Sequence, residues 1–296
     1  MENISKGLPN AEASFAAEIA VRSLLYEVSV SPKPGLVDRF DNGAHNDMNF
    51  FIYIDSSVAL SEYFRAAFLM GSSMAAYPPE GMFPKLQKLG LQAEQRMYQA
   101  TKGVNTHKGI IFTLGLLCGG LGYLSAAKSA NNEHHLLTVC GQIAGPAMQA
   151  ALRSIQTTNA ATGGERLYVA SGQTGARGEA AAGYPSIRNY GLPTLRKALQ
   201  QGYSINDAGI LVLLKLLCCV EDSNIFSRAG LEKQRELAYW VQNIAKKDCL
   251  DIKEVQNLNL YCIREHISPG GCADLLAATF FLYFYYDEMG NGVASP

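Results

Sequence analysis

The residues best suited to chemistry lie in short segments that are rich in proline or glycine. The first segment combines cations, carboxylates and an imidazole within sixteen residues, and its candidates are Lys33, Asp38, Arg39, His45 and Asp47. The cations could neutralise phosphate groups, and the carboxylates could hold Mg²⁺ through their oxygens. The prolines of the segment fix φ and stiffen the loop. An ordinary charged surface turn explains the same composition equally well.

The second segment lies where a long apolar run begins. Asn105 or Thr106 can cap the helix that this run predicts, and His107 and Lys108 then occupy its first turn. Free N–H groups and the positive end of the helix dipole make such a position an anion site. A plain helix cap accounts for Thr106 as well, and only the joint presence of His107 and Lys108 favours a phosphate contact.

The third segment, near the C-terminal end, joins a predicted cap to a buried carboxylate. Ser268 suits the cap and Pro269 the first helical position, while Gly270 and Gly271 would let a ligand approach the backbone. Asp274 follows in an otherwise apolar helix. It is expected to pair with a buried cation or bind a metal, unless it lies on the outer face of the helix.

Two more segments combine a carboxylate and an arginine beside glycine. One holds Arg177 and Glu179, and the other holds Asp222 with Arg228 shortly after it. Each is a weak signal alone, but five such segments at helix ends indicate one polar cavity that binds a polyphosphate. The general nucleotide motifs are missing from the sequence. The residues by themselves therefore predict a metal-assisted enzyme acting on a phosphorylated ligand.

Helical spacing of apolar residues dominates the rest of the chain, and alternating strand patterns are nearly absent. The sequence predicts an all-α single domain, a bundle of about ten helices spanning 1–296, with loose ends at 1–9 and 290–296. The glycine-rich stretch 159–192 is predicted to be a loop whose charged residues belong to the binding site. The predicted helices are 11–30, 50–75, 85–101, 107–128, 134–153, 193–201, 206–221, 229–247, 251–266 and 270–287.

Composition excludes some classes of partner. The 296 residues are 48% hydrophobic and carry a formal charge of −1, so no global basic field draws the chain to nucleic acid or to a membrane. Seven cysteines without a Cys-x-x-Cys spacing fit a reduced, cytoplasmic protein. Residues 109–127 carry no formal charge and include five glycines. This run could span a membrane, but we expect a buried central helix whose glycines mark close packing.

Five strings resemble the signatures of the triphosphoribosyl-dephospho-CoA synthases, in order and spacing, over about residues 15–285. They are Pro-Lys-Pro-Gly-Leu-Val-Asp-Arg at 32–39, Gly-Ala-His-x-Asp-Met at 43–48, Gly-Val-Asn-Thr-His-Lys-Gly at 103–109, Thr-Gly-Ala-Arg-Gly-Glu-Ala at 174–180 and Ser-Pro-Gly-Gly-x-Ala-Asp-Leu-Leu at 268–276. Small-for-small departures from the family occur at Ser223, Ala229 and Cys272.

The resemblance implies a helical enzyme that joins the triphosphoribosyl part of ATP to dephospho-CoA and releases adenine. The product would be the prosthetic-group precursor of citrate lyase or of malonate decarboxylase. A lysine at position 108 of the string resembles the citrate-lyase branch more than the other. A transferase would then load the product onto the acyl carrier subunit. Mg²⁺ is expected with ATP, and a homodimer is possible.

The resemblance also implies roles. Glu179 is the first candidate for the general base, with Asp38 as a further catalytic candidate, and His107 would protonate adenine or bind phosphate. The implied ligands of Mg²⁺ are Asp38, Asp47, Asp222 or Asp274. The implied substrate-binding residues are Lys33, Arg39, His45, Asn105, Thr106, Lys108, Arg177, Arg228, Ser268, Gly270 and Gly271. Two alternative functions remain open: a metal-dependent hydrolase of N-ribosyl or ADP-ribosyl bonds, and a non-catalytic coenzyme-binding protein.

Overall fold

The described residues of this computed structural model, 8–155, 162–245 and 249–288, form helices and connecting loops and contain no β-strand. The all-α prediction is confirmed. The predicted loose ends lie mostly outside the described residues, although Leu8 and Pro9 already belong to the first helix.

Helices account for most of the described chain. In order they are α1 Leu8–Ser29, α2 Phe50–Ala59, α3 Ser61–Ser73, α4 Phe83–Ala100, α5 Lys108–Ala126, α6 Glu133–Arg153, α7 Gly163–Ser171, α8 Gly175–Ala181, α9 Leu192–Gln200, α10 Ile205–Cys219, α11 Ser223–Ala245, α12 Ile252–Arg264 and α13 Gly270–Leu282. A 3₁₀ turn, Pro79–Met82, precedes α4, and π-helical segments lie at Ile187–Gly191 and Tyr283–Glu288.

Helix α5 is the centre of the bundle. It is apolar all round and long enough to cross a membrane, yet 72% of its most apolar stretch is buried inside the protein. It packs against α3 so closely that a Cβ on Gly71 would lie 1.9 Å from the carbonyl oxygen of Gly119. A Cβ on Gly122 would lie 1.9 Å from the carbonyl oxygen of Phe68. The prediction that these glycines mark close helix packing is confirmed.

The structure corrects the sequence prediction in three places. The predicted helix 50–75 is divided at Leu60, where α2 ends and α3 begins. The stretch predicted as loop contains α7 and α8. Helix α7 opens with a capping box, in which Thr162 accepts from the N–H of Glu165 and the Glu165 carboxylate accepts from the N–H of Thr162. Helix α11 begins earlier than predicted and kinks at Gly230, whose φ is 83°.

Candidate active site

A cavity of about 320 Å³ lies where three helices begin. The first residues of α5, α11 and α13, which are Lys108, Ser223 and Gly270, all line it. Three positive helix ends therefore face one space, which favours a bound anion. Its other functional lining residues are Glu27, Lys33, His45, Asn105, Thr106, His107, Asn224, Arg228, Ser268, Gly271 and Asp274. We call this space the cation-lined cavity.

Its cations differ in how far they are already neutralised. Lys33 is buried and pairs with Glu27 of α1. Lys108 is 3.0 Å from a Glu94 carboxylate oxygen. The Arg228 guanidinium reaches only the Ala44 carbonyl oxygen and His45 Nδ1, each at 3.5 Å, and no carboxylate pairs with it in the described part of the chain. Arg228 is therefore the cation with most charge to offer a ligand.

His45 links the first loop to the loop before α13. Its Nε2 lies 2.7 Å from Ser268 Oγ, and its Nδ1 faces Arg228. Because a guanidinium only donates, we assign Nδ1 as the acceptor and Nε2–H as the donor to Ser268. Burial lowers the pKa of His45, and the charge of Arg228 lowers it further, against a smaller opposite effect of Asp47. At neutral pH His45 is a neutral hydrogen-bonding group.

His107 is held by hydroxyl groups. Its Nδ1 lies 2.6 Å from Ser56 Oγ, and Thr106 Oγ1 donates to the same serine oxygen at 2.7 Å. The other ring nitrogen, Nε2, is buried and has no hydrogen-bond partner among the described residues, and His107 lines the cavity. Burial, with the charge of Lys33, lowers the pKa of His107 to about 3. Of its two implied roles, contact with a phosphate suits this neutral imidazole.

The prediction that Asn105 or Thr106 caps α5 is wrong. The N-cap position belongs to His107, whose side chain makes no capping bond, and Lys108 is the first helical residue. Asn105 Oδ1 still accepts from the Lys108 N–H at 3.3 Å, whereas the Thr106 hydroxyl donates to Ser56.

A second cavity of about 290 Å³ adjoins the first, and the two share Ala176, Ser223, Gly271 and Asp274. Its carboxylates are Glu179, Glu221, Asp222 and Asp274, and its lining contains no lysine, arginine or histidine among the described residues. We call this space the acid-lined cavity. Such a space repels phosphates and suits uncharged hydroxyl groups or a cation.

Glu179 lies on α8 and faces the acid-lined cavity. Its carboxylate accepts from the Ser186 hydroxyl at 2.5 Å and from the Ser186 N–H at 3.2 Å. Burial raises the pKa of Glu179, and the two bonds from Ser186 oppose that rise. A carboxylate with a raised pKa that is held in one orientation fits a general base.

Asp222 joins two helix N-termini. Its Oδ1 accepts from the N–H of Asn224 at 2.7 Å in α11, and its Oδ2 accepts from the N–H of Cys272 at 2.8 Å in α13. The prediction that Ser268 caps α13 with Pro269 at its first position is wrong, because α13 begins at Gly270 without a local side-chain cap. A distant carboxylate supplies the missing acceptor.

Asp274 lies where the two cavities meet. Its Oδ2 would be 2.0 Å from a Cβ on Gly109, so only glycine at the start of α5 leaves room for this carboxylate. Within the described residues no donor is hydrogen-bonded to it. Burial raises the pKa of Asp274 well above its usual value, and the charges of Asp222 and Glu27 add to the rise. An unbonded carboxylate in this field favours a bound cation or a proton.

Four predicted residues line neither cavity. Asp38 accepts three backbone N–H groups, those of Lys33, Phe40 and Asp41, and so shapes the first loop. The other three face elsewhere: Arg39 donates to Asn206 Oδ1 at 3.2 Å, Asp47 is 64% exposed and Arg177 pairs with Glu165 at 2.9 Å.

Arg177 borders a third, more apolar chamber of about 400 Å³, which shares Lys108, Gly109 and Ala176 with the cation-lined cavity. The structure thus separates the four residues from the group that it brings together.

Sequence reasoning missed two residues of the site. Glu27 lies three positions after Leu24 on the buried face of α1, and a carboxylate at a core position was a recognisable signal. Ser56 gave no signal, because a serine within a helix is unremarkable until the histidine that it contacts is known.

Comparison with known proteins identifies the family of this chain. The sequence profile of a family described as "CitG: ATP:dephospho-CoA triphosphoribosyl transferase" matches residues 13–292. A protein of Streptococcus pyogenes serotype M18 (strain MGAS8232) is 38% identical over 281 residues, covering 90% of this chain and 95% of the relative. One from Streptococcus mutans serotype c (strain ATCC 700610 / UA159) is 38% identical over 279 residues, covering 90% and 94%. Both are named "Probable 2-(5''-triphosphoribosyl)-3'-dephosphocoenzyme-A synthase".

A crystal structure from Archaeoglobus fulgidus, of a protein assigned to the triphosphoribosyl-dephospho-CoA synthases, has a TM-score of 0.44 and 16% identity, covering 77% of this chain and 97% of that one. The profile match over nearly the whole length and the 38% identity to curated relatives establish the family. The chain belongs to the CitG family of ATP:dephospho-CoA triphosphoribosyl transferases.

Proposed function

We propose that the two adjoining cavities are the active site of a triphosphoribosyl-dephospho-CoA synthase. The enzyme joins the triphosphoribosyl part of ATP to dephospho-CoA and releases adenine. The observation that carries the proposal is the meeting of a cation-lined and an acid-lined cavity at Asp274. ATP has the same division, since its triphosphate is strongly anionic and its ribose is uncharged.

The triphosphate belongs in the cation-lined cavity. Arg228 has no carboxylate partner in the described residues, and Lys108 opens α5 at the same place. Charge-assisted contacts from these side chains add to the positive end of α5, while the Asp222 carboxylate already accepts from N–H groups of α11 and α13. Because the enzyme transfers the ribosyl group, the triphosphate must be held without being cleaved, which calls for fixed donors around it.

The ribosyl transfer belongs at the border of the acid-lined cavity. The 2′-hydroxyl oxygen of dephospho-CoA forms a bond to C1′ of the ATP ribose as the bond from C1′ to adenine breaks. Glu179 takes the hydroxyl proton, and the leaving adenine takes up a proton from solvent. The transition state resembles the oxocarbenium ion of glycoside hydrolysis, and direct displacement inverts C1′.

Mg²⁺ fits between the triphosphate and Asp274. The described residues include no group of three or more His, Cys, Asp or Glu placed to hold a metal. Mg²⁺ commonly binds through one or two carboxylates together with substrate phosphates. Asp274 has a carboxylate without a hydrogen-bond donor, whereas Asp222 uses both of its oxygens on backbone N–H groups. The ion would neutralise phosphate charge.

The product, 2'-(5''-triphosphoribosyl)-3'-dephospho-CoA, is proposed as the citrate lyase prosthetic-group precursor and would pass to a transferase that loads the acyl carrier subunit. Lys108 in the string at 103–109 supports the citrate-lyase branch over malonate decarboxylase. All seven cysteines are free thiols, which supports a reducing, cytoplasmic setting. A homodimer stays a prediction, and light scattering would decide it.

One assay tests the proposed reaction. Purified protein is incubated with Mg²⁺, ATP and dephospho-CoA, and the mixture is analysed by mass. The proposal predicts the joined product and free adenine in equal amounts. ADP or pyrophosphate in place of adenine would contradict it. Ribose triphosphate released without dephospho-CoA would identify a hydrolase, and ATP binding without adenine release would identify a coenzyme-binding protein.

A further inference from the structure

We propose that Ser56 of α2 is a positioning residue that fixes His107 as a neutral imidazole whose Nε2–H donates to a phosphate oxygen of ATP. Ser56 lies outside all five segments that the sequence singled out. The inference rests on the proposed use of the cation-lined cavity for the triphosphate. The tautomer of His107 can be measured in the ligand-free protein, so the first test does not depend on enzymatic activity.

The contacts form a directed chain. The Thr106 hydroxyl donates to Ser56 Oγ at 2.7 Å, which leaves the Ser56 hydrogen free to donate to His107 Nδ1 at 2.6 Å. A neutral imidazole that accepts at Nδ1 carries its proton on Nε2. We therefore assign His107 the tautomer with its proton on Nε2.

The ring is also fixed in orientation. The edge-on contact of Tyr53 with the His107 ring has a centroid distance of 5.0 Å and an interplanar angle of 84°. The backbone N–H of His107 lies 3.1 Å from Met97 Sδ. His107 is 4% exposed, so rotation of the ring would require these neighbours to move.

Nε2 is the atom that implies a ligand. It is a buried atom of a residue that lines the cavity, and the described residues offer it no hydrogen-bond partner. Buried polar atoms are rarely left without a partner in native proteins. A phosphate oxygen only accepts, so the tautomer that Ser56 imposes is the one that can bind it. The opposite tautomer would present a lone pair to an anion.

Ser57 provides a matched control. It is the next residue on α2 and is equally buried, but its hydroxyl donates to the Tyr53 carbonyl oxygen at 2.7 Å within its own helix. Ser57→Ala therefore removes a buried hydroxyl without touching the chain from Thr106 to His107. Any effect specific to Ser56→Ala then arises from the chain of contacts from Thr106 to His107.

The first test is nuclear magnetic resonance of the ligand-free protein with ¹⁵N-labelled histidine. The chain has five histidines, and the signal of His107 is identified by its loss in His107→Phe. We expect one neutral Nε2–H tautomer in the wild type and in Ser57→Ala, and a mixture of tautomers in Ser56→Ala. A wild-type Nδ1–H tautomer, or an unchanged tautomer in Ser56→Ala, would overturn the proposal.

The second test is steady-state kinetics with ATP as the varied substrate. Ser56→Ala should raise KM for ATP roughly tenfold with little change in kcat, since it loses one oriented hydrogen bond to the ground state. The double variant with His107→Phe should show no further loss than His107→Phe alone. Equal KM values for Ser56→Ala and Ser57→Ala would overturn the contact with ATP. If the wild type makes no joined product, the proposed function fails, and the tautomer result still decides the role of Ser56.

Discussion

At the scale of single residues, the structure distinguishes charged residues that the sequence could only group together. It does so through the contacts that each charged group already makes. Arg39 and Arg228 were both implied to bind phosphate, yet Arg39 donates to Asn206 outside the cavity and Arg228 faces into it. Glu179 and Asp222 are both acids of the acid-lined cavity, but Asp222 holds two helix ends together. Three predictions belong at this scale.

Arg228→Ala should raise KM for ATP by about 10- to 100-fold, because a charge-assisted contact contributes about 1.5–3 kcal/mol. Arg39→Ala should leave KM for ATP near its wild-type value, since that side chain lines neither cavity. Initial rates over a range of ATP concentrations measure both. A larger effect of Arg39→Ala than of Arg228→Ala would contradict the placement of the triphosphate.

Glu179→Gln should bind ATP and dephospho-CoA with nearly native affinity and lose on the order of 10²- to 10⁴-fold in kcat, because an amide cannot accept the hydroxyl proton. Calorimetric binding and single-turnover rates separate the two effects. Weakened ATP binding with an almost native rate at saturation would instead make Glu179 a ground-state ligand. Asp274 would then be the next candidate for the base.

His107 should make the protein sensitive to acid. Its pKa falls from 6.5 to about 3 on folding, so between these values the unfolded chain binds more protons and stability falls as pH falls. From pH 7 to pH 4.5 the loss is about 2.5 kcal/mol. Urea unfolding at several pH values should show a shallower loss for His107→Phe than for the wild type. Parallel curves would contradict the low pKa.

At the scale of helices, the pattern of apolar residues predicted most of the elements, because period and burial go together in α1 and α12 and an unbroken apolar run forms the buried α5. It failed where local chemistry outweighed the pattern. The short helices α7 and α8 contain too few apolar residues to show a period, although the capping box at Thr162 was readable. The cap of α13 comes from Asp222, fifty residues away in the sequence, and no local pattern contains that information.

Gly122→Ala should destabilise the protein by at least about 1–3 kcal/mol, because its Cβ would lie 1.9 Å from the Phe68 carbonyl oxygen and force α3 and α5 apart. Gly90→Ala is the matched control. Gly90 lies in α4, and the nearest atom to its added Cβ would be the Tyr63 hydroxyl oxygen at 3.6 Å. The gain in helix propensity should therefore leave stability equal or higher. Thermal unfolding compares the two. Equal melting temperatures would mean that the α3–α5 packing tolerates a methyl group.

At the scale of the whole molecule, helix ends from distant parts of the sequence meet at the site. The segments that hold His107, Arg228 and Asp274 were recognisable one by one, and the sequence predicted that they would converge. Which residues of each string face the cavity could not be predicted, because that depends on helix rotation and on partners such as Glu27 and Ser56. The division into a cation-lined and an acid-lined space is likewise a property of the fold alone.

A crystal structure of the protein with Mg²⁺, dephospho-CoA and a non-reacting ATP analogue tests the central claim most directly. The account predicts the triphosphate in the cation-lined cavity, in contact with Arg228 and His107 Nε2. It places the 2′-hydroxyl of dephospho-CoA and C1′ of the ATP ribose at the border near Asp274, with Glu179 facing that hydroxyl. A triphosphate bound outside the cation-lined cavity, or a ribose far from both Asp274 and Glu179, would contradict the account.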